Sequence, residues 1–173
     1  MICLFKGSGF VSAAIRWQTR GAYAHAAWLC GDGSVYEAHA KCGVAHVASP
    51  WVNNGGPVDI YGLRCLTFGQ TLQIQSFLNR RVGSGYDWLG CVRFLDRVNR
   101  NNMERWFCSE LVAEACEMAG RPLLKAEGYR ISPSTLAWST ELVPVQMGAT
   151  RAWWHEKFGM QRSVVSDLEG TTE

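Results

Sequence analysis

The sequence contains no long hydrophobic run. No window approaches the roughly 18 uninterrupted apolar residues that a membrane-spanning helix requires. The N-terminal stretch MICLFKGSGF has no charged segment before a long apolar stretch, so it does not have the pattern of a secretory signal peptide. We therefore expect a cytoplasmic protein without a transmembrane segment, and a phage-encoded enzyme is compatible with that expectation.

Paired cysteine motifs are also missing. The seven cysteines are odd in number and include no C-x-x-C: Cys3, Cys30, Cys42, Cys65, Cys91, Cys108 and Cys116. This pattern indicates neither a disulfide framework nor a zinc ribbon, and it favours a reducing compartment. His39 and His46, with Cys42 between them, could suggest a metal site, but their spacing is not a recognised tetrahedral set and no fourth ligand is evident. We predict no metal and no cofactor.

Charge of either sign is scarce. The chain has 17 Lys and Arg against 15 Asp and Glu, and the basic residues are scattered, whereas a nucleic-acid surface needs a basic stripe. Nucleic acid is therefore not an expected partner. At 173 residues and 47% hydrophobic composition, the chain is long enough to bury one core. No repeat or linker divides it, so we predict a single domain over residues 1–161 and a polar, flexible tail over 162–173.

Hydrophobic periodicity predicts a sheet followed by helices. Alternating or continuous apolar residues predict strands over 2–6, 23–30, 34–39, 43–48 and 57–63. Helical spacing predicts helices over 8–21, 70–81, 87–98 and 108–120, and a short helix that Ser132 caps with Pro133 at its first position. The fold class is α+β, with a small antiparallel sheet packed against helices.

Cys108 is the candidate nucleophile. It is the first residue of the apolar stripe on the helix CSELVAEACEMAG, where unpaired N–H groups and the helix dipole stabilise a thiolate. A nearby imidazolium would lower the pKa of such a thiol further. A buried structural cysteine is the alternative interpretation of this position. Cys116, in the interior of the same helix, is interpreted as a small core hydrophobe, as are Cys3, Cys30, Cys65 and Cys91.

Five short motifs in order carry a family resemblance. They are Y-x-H at 23–25, V-Y-E-A at 35–38, G-Y-D at 85–87, F-C-S-E-L-V at 107–112 and I-S-P-S-T-L at 131–136. In this order the chain resembles the permuted papain-like amidases of the YiiX/YaeF type, over about Phe5 to Ser139. These are relatives of the NlpC-type cell-wall cysteine peptidases, and lecithin retinol acyltransferase belongs to the same circularly permuted group.

The resemblance implies a circularly permuted papain-like (NlpC-type) fold and a set of site residues. Cys108 would be the nucleophile, His25 the general base and Glu37 the polar group that orients the imidazole. Tyr86 would help to line the oxyanion site. Apart from the resemblance, we predict that backbone N–H groups near Cys108 contribute to the oxyanion site and that Ser109 is an oxyanion or substrate-binding residue. The chain departs from the family pattern in having alanines on both sides of His25, which affects the packing expected there.

The segment YAHAAWLCGDGSVYEAH sets a geometric condition on this site. Glu37 can accept a hydrogen bond from one nitrogen of His25 only if both side chains point to the same face of a hairpin. A two-residue Asp32–Gly33 turn would place them on opposite faces, because side chains alternate along a strand. We therefore predict a three-residue loop with a left-handed glycine and a bulge at Cys30–Ser34.

Three functions are compatible with these residues. The first is a thiol hydrolase that cleaves an amide bond in a peptide, which could derive from the cell wall. The second is lipid acyl transfer or thioesterase-like activity at the same site. The third is a non-catalytic binding module with a relic site. The presence of a cysteine, a histidine and an acid together favours an enzyme. We assign no role to His155, which lies in the aromatic segment WWHEKF.

Overall fold

In residues 1–7, 10–87 and 105–159, which the computed structural model describes, the chain forms strands and helices in close to the predicted order. The strands are β1 (Ile2–Phe5), β2 (His25–Leu29), β3 (Val35–His39), β4 (Gly43–Val47), β5 (Val58–Leu63), β6 (Gly85–Tyr86), β7 (Arg105–Trp106) and β8 (Leu142–Ala149). The helices are α1 (Phe10–Thr19), α2 (Phe68–Asn79), α3 (Cys108–Met118), α4 (Pro133–Leu136) and α5 (Arg151–Trp154). Residues 88–98 of one predicted helix, and the predicted tail, lie outside the described residues.

One antiparallel sheet organises the fold. Its strand order is β4-β3-β2-β1-β5-β8, so β1 lies in the middle, between β2 and β5. The short strands β6 and β7 form a separate parallel pair. The predicted α+β class and the antiparallel sheet are confirmed. No helix of the described part is long and apolar enough to cross a membrane.

The edge strand β8 is absent from the sequence-based prediction. Its segment, LVPVQMGA, contains a proline at position 144, and proline cannot donate to a strand ladder except at an edge or a bulge. Most of its side chains are partly or fully exposed, so it has no clean alternation of buried and exposed residues. Its pairing with β5 also contains register irregularities. The segment is a strand in the structure because it pairs with β5, a contact between parts of the chain about 80 residues apart that sequence pattern does not reveal.

Both faces of the sheet are covered. Ile2 and Leu4 of β1 point into a core cluster that includes residues of α2 and α3, while Cys3 and Phe5 point into a second cluster with Trp154. Burial on both faces explains why β1 and β2 are almost wholly apolar in sequence. The sheet therefore lies between two apolar layers.

Local signals place the ends of the helices. Thr67 caps α2 by accepting from the Gln70 backbone N–H, so this helix begins at Phe68, two residues before the predicted start. Leu72 fits the helical spacing of the apolar residues in this segment but is 49% exposed. Ser132 caps α4 with Pro133 at the first position, as predicted. The buried stripe of α3 is also confirmed, with Cys108, Leu111, Val112, Ala115 and Cys116 buried.

Candidate active site

The turn between β2 and β3 has the predicted irregularity. The backbone N–H of Cys30 donates to the carbonyl of Ser34 over 2.8 Å, and that of Gly33 donates to the carbonyl of Cys30 over 3.2 Å. Gly33 has a φ of +85°, in the left-handed region that glycine adopts without strain. These bonds enclose a three-residue loop with the bulge geometry of common hairpins, so the prediction is confirmed.

This turn places His25 and Glu37 on one face. Ala27 lies directly opposite Glu37 in the β2–β3 pairing. His25 is two residues from Ala27 on the same strand, so its side chain points to the face that Glu37 also occupies. The two side chains meet, with His25 Nε2 at 2.8 Å from Glu37 Oε2.

Glu37 is a buried carboxylate with three hydrogen-bond donors. It has no solvent-exposed surface. Besides His25, Asn54 Nδ2 donates to Oε2 over 2.7 Å, and Asn53 Nδ2 donates to Oε1 over 2.8 Å. Neither asparagine was predicted as a site residue, because the segment WVNNGG has the composition of an ordinary turn. No periodic or motif signal would have linked them to a glutamate that precedes them by 16 and 17 residues.

These donors determine the charge of Glu37. Burial by itself raises the pKa of the Glu37 carboxyl, but hydrogen bonding and charge interaction with His25, and the hydrogen bonds of Asn53 and Asn54, outweigh it and lower the pKa to about 2. Glu37 is therefore ionised at neutral pH and can only accept. It follows that Nε2 of His25 carries a hydrogen and donates it to Glu37.

Cys108 interacts with the same histidine. Burial lowers the pKa of His25, but its charge interaction and hydrogen bond with Cys108, followed by those with Glu37, outweigh burial and raise the pKa to about 10. Because Nε2 is engaged by Glu37, Nδ1 is the ring nitrogen left to face the sulfur. Cys108 is the first residue of α3 and His25 the first of β2, so both lie at the ends of their elements. Cys108 has no exposed surface.

Tyr86 lies beside the segment that leads into α3. Its strand, β6, pairs with β7, and Tyr86 is directly opposite Trp106, two residues before Cys108. The rings of Tyr86 and Phe107 are 6.1 Å apart. Tyr86 is buried, and the β6–β7 pairing brings this predicted oxyanion residue beside the segment that leads into the candidate nucleophile, although the two are far apart in sequence.

Ser109 and Glu110 hold the first turn of α3. The Ser109 hydroxyl is buried and donates to the carbonyl of Ile131 over 2.5 Å, so its side chain joins α3 to the segment before α4. A role for Ser109 at an oxyanion therefore rests on its backbone N–H. Glu110 accepts from the Phe107 backbone N–H over 3.2 Å, and burial raises the pKa of this carboxyl to about 7.

The other two histidines of the early strands have contacts of their own. The rings of His39 and His25 meet edge to face, 5.9 Å apart. His46 stacks on Tyr36 at 4.0 Å and its Nε2 hydrogen-bonds to Ser34 Oγ over 2.7 Å. Among the residues that the structure describes, no three His, Cys, Asp or Glu side chains are grouped so as to hold a metal ion.

One cysteine differs from its prediction. Cys3, Cys30 and Cys116 are buried, as expected for small core hydrophobes. Cys65 is exposed, because it lies in the turn after β5 with a φ of +48° rather than within an apolar strand. Cys91 lies outside the described residues.

Comparison with known proteins finds two similar proteins of Escherichia coli, one by sequence and one by structure. No protein-family model matches the chain. The probable lipoprotein peptidase YaeF of Escherichia coli (strain K12) is 28% identical over 166 residues, which cover 77% of this chain and 60% of that protein. The crystal structure of the metalloprotein yiiX of Escherichia coli O157:H7 matches with a TM-score of 0.66 and 17% identity, over 84% of this chain and 94% of that chain.

The resemblance to the YiiX/YaeF type is confirmed. At 17% identity the yiiX structure shows a shared fold and no more. The name of YaeF supports a peptidase-like relationship, although this chain spans only about 60% of its length. YaeF is described as a lipoprotein, and the cytoplasmic location expected for this chain stays a prediction.

Proposed function

We propose that this protein is a cysteine hydrolase that cleaves an amide bond in a peptide. Cys108 is the nucleophile, His25 holds and transfers its proton, and Glu37 orients the imidazole. The observation that carries the proposal is the contact of His25 with an ionised, fully buried Glu37 through Nε2, while the same imidazole interacts with Cys108. This is the connectivity of an activated thiol nucleophile.

The order of these residues supports a circularly permuted papain-like fold. His25 and Glu37 lie on the hairpin β2–β3, and Cys108 follows them at the start of α3. In unpermuted papain-like enzymes the cysteine precedes the histidine. The likeness of this chain to yiiX is consistent with the permuted arrangement, which we adopt as part of the proposal.

The resting site is proposed to be an ion pair. The raised pKa of His25 favours an imidazolium at neutral pH, with the proton of Cys108 on Nδ1. The sulfur then attacks the carbonyl carbon of the substrate, and the carbonyl oxygen takes the negative charge. As the C–N bond breaks, His25 gives its proton to the leaving amine, and a thioester remains on Cys108. A water then gives a proton to His25 and its oxygen adds to the thioester carbon. The C–S bond breaks, the carboxylic acid product leaves, and the thiolate–imidazolium pair is restored.

Groups around the start of α3 stabilise the charged oxygen in this proposal. The first N–H groups of a helix have no partner within the helix, and they favour negative charge. The backbone N–H groups of Cys108 and Ser109 occupy these positions. Tyr86, on the neighbouring strand β6, is the side chain proposed to assist them.

A peptide substrate is preferred over an acyl ester because the curated relative is named as a probable peptidase. Peptides derived from cell-wall stems are the first class to test. Activity on lipid esters or acyl groups at the same site is the alternative, and it needs the same three residues.

The first experiment measures the reactivity of Cys108. We would follow alkylation by iodoacetamide against pH, by peptide mass spectrometry, in wild type and in His25→Ala. A free thiol of pKa about 8.5 is only about 1% thiolate at pH 6.5. We expect Cys108, although buried, to react at least about tenfold faster than the exposed Cys65 at that pH, because the imidazolium maintains its thiolate. We expect His25→Ala to abolish the difference.

The control is His46→Ala, which removes an imidazole outside the proposed site and should leave the profile unchanged. A Cys108 that reacts no faster than Cys65, or equally fast in His25→Ala, would overturn the proposed pair and favour a non-catalytic module. With the pair established, wall-derived peptides and acyl esters are compared as substrates of wild type and Cys108→Ala.

A further inference from the structure

The loop between β4 and β5 contributes to the candidate site without supplying a member of the triad. Asn53 and Asn54 lie on this loop, and each directs its side-chain amide at a different oxygen of Glu37. With His25, they give the buried carboxylate three donors at 2.7–2.8 Å. Both asparagines are half-buried, so solvent reaches their outer sides but not Glu37.

The loop holds these donors in place before any substrate binds. Trp51 is buried in the second core cluster, and its indole Nε1 donates to the carbonyl of Gly56 across the loop over 2.9 Å. Arg151 of α5 donates to the Trp51 carbonyl over 3.1 Å. The second hydrogen of the Asn54 amide has its own acceptor, the carbonyl of Pro50 at 3.2 Å. The orientation of the Asn54 amide is therefore fixed by the loop as well as by Glu37.

We propose that Asn53 and Asn54 are positioning residues that keep Glu37 ionised and fixed against His25. This inference deepens the proposed function and rests on it for its catalytic consequence. A carboxylate without exposed surface needs several donors to stay charged. His25 supplies one of them, and the two amides supply the others.

The choice of neutral donors has a physical reason. A lysine or arginine in place of an asparagine would also stabilise the carboxylate, but its positive charge would repel the imidazolium of His25. An amide donates a hydrogen bond without adding charge. The asparagines therefore stabilise the Glu37 carboxylate without placing a second cation beside it. The attraction between Glu37 and the His25 imidazolium is not weakened.

Other titratable groups surround this pair. On the strands they are Cys3 of β1, which interacts with Glu37, and His39 of β3, which interacts with both Glu37 and His25. Cys42, in the turn after β3, interacts with Glu37, and Cys108 of α3 interacts with His25. These four groups influence Glu37 or His25 through charge, whereas the asparagines do so through neutral hydrogen bonds. The test therefore changes the asparagines and leaves these four groups in place.

The test is the titration of the Glu37 side-chain carboxyl by carbon NMR between pH 4 and 8. The carbon signal of the Glu37 carboxyl is identified as the one that disappears from the spectrum of Glu37→Gln. In wild type, where hydrogen bonding holds the pKa of Glu37 near 2, the signal should stay constant over this range. In the double variant Asn53→Leu, Asn54→Leu, two of three donors are lost while burial remains, and we expect the signal to titrate inside the window.

A second variant separates charge from packing. Asn54→Asp puts a second carboxyl group within hydrogen-bond reach of Glu37, and two adjacent carboxylates cannot both ionise easily. We expect one of them to keep a proton to higher pH than in any leucine variant. Asn79→Leu changes an exposed asparagine at the end of α2 and should leave the Glu37 signal constant. If the leucine variants do not fold, Asn53→Ser and Asn54→Ser remove the amides without adding apolar bulk.

The effect of Glu37 protonation on the reactivity of Cys108 is measured on the same variants by Cys108 alkylation. In the double variant its rate should fall with acidification at the pH where Glu37 takes up a proton, whereas wild type should show no such step. A Glu37 signal that stays constant in folded donor-loss variants overturns the inference. If the Glu37 signal titrates as expected while Cys108 is unreactive in wild type, the role of Asn53 and Asn54 is supported and the proposed hydrolase is overturned. The two failures are therefore distinguishable.

Discussion

Glu37→Gln should lower the free energy of unfolding by about 2–4 kcal/mol at pH 7. Three donors lie within 2.8 Å of the carboxylate, and bonds to a charged acceptor contribute about 1.5–3 kcal/mol each, against about 1 for neutral pairs. The glutamine NH₂ must also face one of these donors, which leaves a donor unsatisfied at a cost of about 1–3 kcal/mol. The smaller desolvation penalty of a neutral amide offsets part of the loss.

Urea unfolding monitored by tryptophan fluorescence measures this change. Glu117→Gln is the matched control, because Glu117 is exposed on α3 and its replacement should change stability by less than about 0.5 kcal/mol. For a chain of this length, the expected loss corresponds to a melting temperature lower by roughly 5–15 °C. A Glu37→Gln variant within about 0.5 kcal/mol of wild type would refute the reasoning that the donors stabilise a charged carboxylate.

The difference in unfolding free energy between wild type and Glu37→Gln should depend on pH. The folded-state pKa of Glu37, about 2, lies below the ordinary value of 4.5, so the unfolded chain binds more protons in the interval between them. The stabilisation is therefore fully present above about pH 5 and is lost as the pH falls toward about 2. The gap between wild type and Glu37→Gln should narrow over that interval.

Two further substitutions test the elements around the site. Gly33→Ala should destabilise the protein by at least about 2 kcal/mol in urea unfolding, because φ is +85° and an added Cβ would lie 2.8 Å from Phe158, whereas Gly31→Ala has open space and should cost less than about 0.5 kcal/mol. Equal effects of the two substitutions would contradict this account. Ser109→Ala should cost about 1–3 kcal/mol in the same assay, because it leaves a buried carbonyl without its donor, and an unchanged midpoint would show that the bond contributes nothing.

Residues whose roles depend on neighbours along the chain were predictable from the sequence. The helix that starts at Cys108 follows from its apolar spacing, and the cap of α4 follows from Ser132 before Pro133. The odd-length turn after β2 was predictable because His25 and Glu37 could meet in no other register, and the glycine at position 33 permits it. Local conformational preference and strand alternation are properties of short segments, so they can be inferred from the sequence.

Residues whose roles depend on distant contacts were not predictable in this way. Asn53 and Asn54 belong to a turn in sequence, and their amides reach Glu37 from a loop whose Trp51 is buried in the second core cluster. The exposed position of Cys65 depends on where β5 ends.

The sequence by itself determined the fold class and the odd-length turn that sets the hairpin register, because periodicity and turn chemistry are local. The three side chains of the candidate triad were named from the family resemblance, and their catalytic roles stay a prediction. Tertiary structure alone decided that β8 forms the edge of the sheet beside β5 and that a loop between two strands donates two hydrogen bonds to Glu37. Those outcomes depend on a free strand edge and on the donors around a buried carboxylate, which exist only once segments far apart in the chain have packed together.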